Sequence, residues 1–183
     1  MLVLGPVPAS DSGDSEGHAD NGPPFPQPSV KFRIVAVGRP VVGPVSEAIA
    51  EYEKRASRYW PLEVIEVKAE PARSRSAEDI RRGEAARLLE RATGTIVALD
   101  ERGRSFTSDA FAKWVADRRD RAEDTSFVIG GAFGLDETVR KRAALVLSMA
   151  PWTLQHDLAR LVLAEQLYRA GTIHRGEPYH KVG

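Results

Sequence analysis

The chain has 183 residues, 42% hydrophobic and 28% charged, enough to bury the core of one globular domain. No apolar run approaches the roughly 18 residues of a membrane span, no basic region and apolar run mark a signal peptide at the N-terminus, and the absence of cysteine excludes disulfides, thiolate metal sites and thiol nucleophiles, which fits the cytoplasm. Charge balances at 26 basic and 26 acidic side chains, but residues 1–29 hold four acids and no Lys or Arg, so 30–183 carry 26 basic against 22 acidic, an excess that permits a nucleic-acid partner without requiring one.

Residues 1–29 contain six of the twelve prolines and four glycines, with almost no hydrophobic periodicity. Such a segment cannot bury enough surface to offset its ordering entropy, so it reads as a disordered extension or a misassigned start. From Val30 onward strands and helices alternate. An apolar run over 31–37 reads as a strand ending at Gly38. Residues 45–60 form an amphipathic helix stopped by Pro61, and 62–67 a strand. A polar, arginine-bearing loop covers 68–76 and a helix 77–92. Residues 95–99 read as a buried strand followed by the turn Asp100-Glu-Arg-Gly. A helix over 108–121 has Ser108 as a possible cap. Then come a strand at 125–129, a glycine loop, a short helix at 136–142, a strand at 144–148 and a last helix at 156–170. Alternation of this kind predicts a three-layer α/β fold around a mainly parallel sheet of about five strands. Leu158, Leu161, Val162, Leu163, Ala164 and Leu167 surround most of the last helix, more apolar surface than one core face uses. The expected second cover is another copy of the chain.

Two strand ends carry special loops. Gly130-Gly131-x-x-Gly134 follows the fourth strand. It is either a backbone that approaches a ligand closely or a tight strand-to-helix turn. It is not the dinucleotide fingerprint, which needs another glycine spacing in a first βαβ unit. Met149, Ala150, Pro151, Trp152, Thr153 and Leu154 join the fifth strand to the last helix. They read either as an ordinary connection, with Thr153 or Gln155 near the helix start, or as a fixed open loop whose backbone groups meet the edge of a flat heterocycle. His156 and His174 suit structural hydrogen bonds as well as catalysis, and no pair has metal-ligand spacing. Arg73, Arg75, Arg81 and Arg82 form either a phosphate-contacting group or a solvated face.

In order along the chain, Ile129-Gly-Gly-x-x-Gly-Leu, Leu147-Ser-x-x-x-x-Thr-Leu-x-His, Ala164-Glu-Gln-Leu-Tyr-Arg-Ala and Glu177-Pro-Tyr-His-Lys resemble the ribosomal large-subunit methyltransferase H family of the SPOUT superfamily. The resemblance covers nearly all of 30–183. It implies a C-terminal trefoil knot, an exception to the usual unknotted chain. It also implies a homodimer with its active site at the subunit interface, S-adenosylmethionine as methyl donor, and N3 of a pseudouridine in large-subunit (23S) rRNA as acceptor, within a ribosomal particle. By position the donor site would comprise Leu99, Gly130, Met149, Ala150, Pro151, Trp152, Thr153 and Leu154, with no metal. Arg169, Tyr179 and His180 are the catalytic candidates, and a neutral His180 could accept the N3 proton. Gln155 stands where many members have proline, and Asp157 departs similarly. A dimeric RNA- or nucleotide-binding protein of the same fold, without catalysis, is the alternative.

Overall fold

The computed structural model describes residues 30–71 and 75–181, and side chains as far as residue 179. The extension over 1–29 and Arg73 therefore lie outside the described residues. Ten regular elements alternate: β1 Phe32–Val37, α1 Pro44–Ala56, β2 Leu62–Val67, α2 Ala77–Arg91, β3 Thr95–Ser105, α3 Ser108–Asp120, β4 Thr125–Ile129, α4 Glu137–Arg142, β5 Leu145–Ser148 and α5 His156–His174. A 3₁₀ turn over Pro178–Lys181 follows.

The strands form one parallel sheet in the order β2-β1-β4-β3-β5. Both faces are covered, which explains why β1 and β4 read as continuous apolar runs. Phe32, Ile34 and Ala36 point to a core shared with Ala56 of α1, Phe111 and Val115 of α3, and Leu163 and Leu167 of α5. Val35 and Val37 point the other way, to Leu88 of α2 and Val139 of α4. The expected three-layer α/β architecture with five parallel strands is therefore the one observed.

Local chemistry moves several boundaries. α1 ends at Ala56, four residues before Trp60, because the chain must turn to bury that ring. Trp60 is fully buried, packs edge-on to Phe32 at 5.6 Å and donates Nε1–H to Leu167 O at 2.8 Å. Thr107, not Ser108, caps α3, its hydroxyl accepting from Ala110 N, while Ser108 Oγ donates to Gln166 at 3.0 Å. α5 runs to His174 rather than residue 170. Its buried face is not wholly apolar: Arg160 is enclosed there and paired with Glu53 at 2.7 Å and Glu66 at 3.0 Å.

β3 departs most from its expected form. The turn at 100–103 exists, but the strand resumes after it. Leu99 and Arg104 both pair with Leu147 of β5, so residues 100–103 bulge out between two stretches of ladder. This bulge sits at the end of the sheet where the two special loops leave it.

Candidate functional site

β4 and β5 flank β3 in the sheet, and their loops depart in opposite directions. After β4 the chain turns toward α4 on one face, and after β5 toward α5 on the other. A crevice opens above β3, as at the switch points of open α/β sheets. Its wider part, about 340 Å³, lies between Leu99, Asp100 and Glu101 of β3, the glycine loop, and Thr153, Leu154, Gln155, His156 and Ala159. A narrower arm runs over Leu147, Met149, Ala150 and Trp152.

The glycine loop is a tight turn whose outer surface is the cleft wall. A Cβ on Gly130 would lie 2.7 Å from Gly134 C and 2.8 Å from its carbonyl oxygen. Gly130 is thus required by the loop's own backbone and not by ligand space alone. Gly134 N–H donates to Gly131 O at 3.0 Å to close the turn, and φ of 77° at Gly134 is the left-handed conformation that favours glycine.

The second loop is fixed at both ends. Ser148 Oγ donates to Ala150 O at 2.7 Å. Gln155 caps α5 through its side-chain oxygen, which accepts from Asp157 N at 3.0 Å and Leu158 N at 3.3 Å. Between these anchors the N–H groups of Trp152, Thr153 and Leu154 have no backbone partner among the described residues. Leu154 is half-buried, while Trp152 is 69% exposed. The result is a narrow slot bounded by a loop with three unpaired backbone N–H groups.

The structure brings seven of the eight expected donor-site residues to this cleft: Leu99, Gly130, Met149, Ala150, Trp152, Thr153 and Leu154. Pro151 is exposed in the loop and off the cleft wall. Asp100 and Glu101 were read only as a turn, yet both line the cleft. Their roles differ. Asp100 accepts from Arg102 Nε and Nη2, both at 2.9 Å, and from Arg140 Nη1 at 3.1 Å. The hydrogen bond from Arg102 holds its carboxyl below the usual range despite burial. Asp100 thereby locks the bulge. Glu101 is exposed and makes no ion pair among the described residues, so it supplies the free negative charge at the rim.

The catalytic candidates lie elsewhere in the protomer. Glu165 Oε1 accepts from Arg169 Nη2 at 2.7 Å and from Tyr179 Oη at 3.2 Å. The Arg169 guanidinium lies over the Tyr179 ring, 5.0 Å from its centroid. Burial, helped by the Tyr52 hydroxyl and the Glu165 charge, pushes the Tyr179 phenol above its ordinary value. His180 lies in the 3₁₀ turn, with its side chain outside the described residues. Arg169 follows Ala159, the last cleft residue on α5, by ten positions, which is about 15 Å along the helix axis.

The family described as "Predicted SPOUT methyltransferase" matches residues 30–180. A relative named ribosomal RNA large subunit methyltransferase H, from Gemmatimonas aurantiaca, is 52% identical over 154 residues, covering 83% of this chain and all of the relative. The chain belongs to the ribosomal RNA large subunit methyltransferase H family. Relatives of the same name from Syntrophotalea carbinolica and Anaeromyxobacter sp. (strain Fw109-5) are 44% and 46% identical, over 82% and 83% of this chain and 99% and 100% of their own lengths. The side-chain cap from Gln155 starts α5 at the cleft. Among the described residues, no group of three His, Cys, Asp or Glu could hold a metal ion, and no helix is long and apolar enough to cross a membrane.

Proposed function

We propose that the chain methylates N3 of a pseudouridine in large-subunit rRNA, with S-adenosylmethionine as donor. The observation that carries this is the cleft over β3 in a chain 52% identical, over 154 of its residues, to a relative named ribosomal RNA large subunit methyltransferase H. The cleft fits the donor chemically. Free N–H groups at 152–154 suit the acceptor edge of adenine, the backbone of the glycine loop admits close approach, and Glu101, without an ion pair among the described residues, suits the positive charge of the donor.

When bound, S-adenosylmethionine supplies a methyl group activated by its sulfonium sulfur. The protein's work is alignment and removal of the N3 proton, and alignment alone can supply a large share of the barrier reduction. In this reading the loops over 130–135 and 149–154 fix the donor. Arg169 hydrogen-bonds the pyrimidine oxygens and favours the deprotonated imide. Tyr179 orients the base, and neutral His180 takes the proton.

About 15 Å of helix separates the cleft from Arg169 in one protomer, too far for one base to span. We therefore include a homodimer, in which the C-terminal residues of one protomer complete the cleft of its partner. Leu158, exposed on α5, and half-buried Leu161 and Val162 offer the apolar surface for it. The C-terminal knot implied by the family belongs to the same reading. So does a catalytic domain over 30–183, with 1–29 dispensable, acting in the cytoplasm on ribosomal particles.

Titration calorimetry with S-adenosylmethionine, followed by transfer of labelled methyl to rRNA, isolated large subunits and assembled ribosomes, tests the proposal. Saturable donor binding and label at one pseudouridine are expected. Donor binding without label in any particle would overturn catalysis, and no donor binding would overturn the cofactor.

A further inference from the structure

Beneath the glycine loop lies an acid with no part in the chemistry above. Glu84, on α2, is 4% exposed. Its Oε1 accepts from Glu70 N at 3.1 Å, while its Oε2 faces the Gly131 backbone amide without a well-aligned hydrogen bond among the described residues. A Cβ on Gly131 would lie 2.8 Å from Oε2, 3.1 Å from Oε1 and 3.0 Å from Val37 Cγ1. The Gly131 backbone therefore rests on the Glu84 carboxyl group and on Val37, while Gly131 itself lines the cleft.

Glu84 is an expensive residue to bury. Burial pushes its carboxyl above the usual range. The Arg87 charge offsets this only in part, because its guanidinium is engaged by the Glu70 carboxylate and by Lys68 O at 2.9 Å. Arg75 takes the other Glu70 oxygen at 2.8 Å. A carboxyl with an unsatisfied oxygen costs stability where an apolar side chain would not. Ile80, Ala85 and Leu88 already fill the core face of α2, so packing of this helix does not explain an acid at 84. What the carboxyl adds is a connection: it joins α2, the segment after β2 and the glycine loop at one point.

We propose that Glu84 is a positioning residue of the donor site, whose carboxyl group fixes the Gly131 backbone in the cleft wall and ties it to Glu70. This rests on the donor reading of the cleft. It makes two demands of the chain. The group at 84 must have the size and hydrogen-bonding shape of a carboxyl, and residue 131 must have no side chain while that group is present.

The test uses the full chain, three single variants and one double variant, read by S-adenosylmethionine affinity, melting temperature and methyl transfer to large subunits at saturating donor. Glu84→Ala should weaken donor binding by about tenfold or more, with transfer at saturation within about threefold, because a displaced wall affects binding more than the reacting groups. Glu84→Gln keeps the shape and suits a site that disfavours charge, so it should restore affinity to within about threefold of wild type. Gly131→Ala should weaken the donor on its own. In the Glu84→Ala background the space its methyl needs is free, so the two losses should not add.

Wild-type donor affinity in Glu84→Ala, whatever its melting temperature, would overturn the proposal by making Glu84 a structural residue only. Additive losses would overturn it as well. If Glu84→Ala does not fold, unchanged affinity in Gly131→Ala does the same. A wild-type chain that binds no donor would overturn the donor reading itself, and this inference with it.

Discussion

Two tyrosine–carboxylate pairs hold the C-terminal residues, one to the loop after α1 and one to α5, and burial and hydrogen bonding raise both phenols. Tyr59 Oη donates to Glu177 Oε2 at 2.5 Å, and that bond, with burial, pushes the phenol up to about 12. The folded chain thus keeps a proton that the unfolded chain loses near pH 10. The stability this supplies is complete below about pH 10 and is lost as pH rises toward 12. Tyr59→Phe should cost about 1 kcal/mol at neutral pH and should flatten the alkaline fall in unfolding free energy, measured by urea denaturation between pH 9 and about 12; an unchanged slope would refute the pairing. The Tyr179 phenol is also raised, chiefly by burial, which favours a neutral, positioning role over that of a base. Tyr179→Phe should lower methyl transfer by about tenfold through lost positioning, with no change in donor affinity or in the pH profile. A shifted pH profile would make it an acid–base group after all. Arg169 and Tyr179 became candidates through family motifs, since nothing in their spacing shows that they meet at Glu165. Glu84 and Asp100 look like ordinary acids of a helix and a turn. Their functions depend on Gly131 and Arg140, 47 and 40 positions away, which no local pattern reveals.

Between elements, the loop after α1 approaches α5 closely. Gly171 is buried in α5, and a Cβ there would fall 2.5 Å from Tyr59 Cβ and 2.7 Å from its Cδ1. These atoms are set by the Tyr59 backbone and its first rotamer, so they cannot swing aside. Helix propensity alone says that Gly171→Ala should stabilise by up to about 1 kcal/mol. Overpacking of this kind costs about 1–3 kcal/mol, so the variant should lose stability in thermal melts, and a gain would show that the ring can move. The same dependence on partners decides which elements could be read from sequence. β1 and β4 are legible because their apolar runs need only a covered sheet, and β2 because apolar and polar residues alternate along an edge strand. The second half of β3 is not, because it exists only where Leu147 of β5 offers a second pairing to Arg104. The end of α1 was misplaced because Trp60 leaves the helix for a hydrogen bond to Leu167, 107 residues on. The last turn of α5 continues to His174, and Glu177 N–H then donates to Thr172 O at 2.9 Å, a closure that the apolar stripe to residue 170 does not announce.

In the whole molecule the cleft and the Arg169–Tyr179 pair belong to different ends of one helix, so the proposed function stands or falls with the proposed dimer. Two inactive variants can separate the possibilities. Gly130→Val forces a branched side chain into the backbone of Gly134 and should collapse the glycine loop, leaving the C-terminal residues intact. Truncation after Arg175 removes Tyr179 and His180 but leaves the cleft residues in place. It should bind donor within a few-fold of wild type yet lose methylation by at least about a hundredfold. Mixed under conditions that exchange subunits, the two variants pair at random and half of the dimers become heterodimers. In each heterodimer the truncated protomer's cleft meets its partner's intact C-terminal residues, while the other site carries both defects. If sites are shared, the mixture should recover about a quarter of wild-type activity per protomer, because C2 symmetry builds two equivalent sites and exchange rebuilds one of them in half the dimers. If each protomer completes its own site, no activity returns at any mixing ratio. Asp substituted at Leu161 should block recovery by burying an unpaired charge, provided that α5 forms the contact. Recovery that survives this substitution would move the interface away from α5 while keeping the shared site.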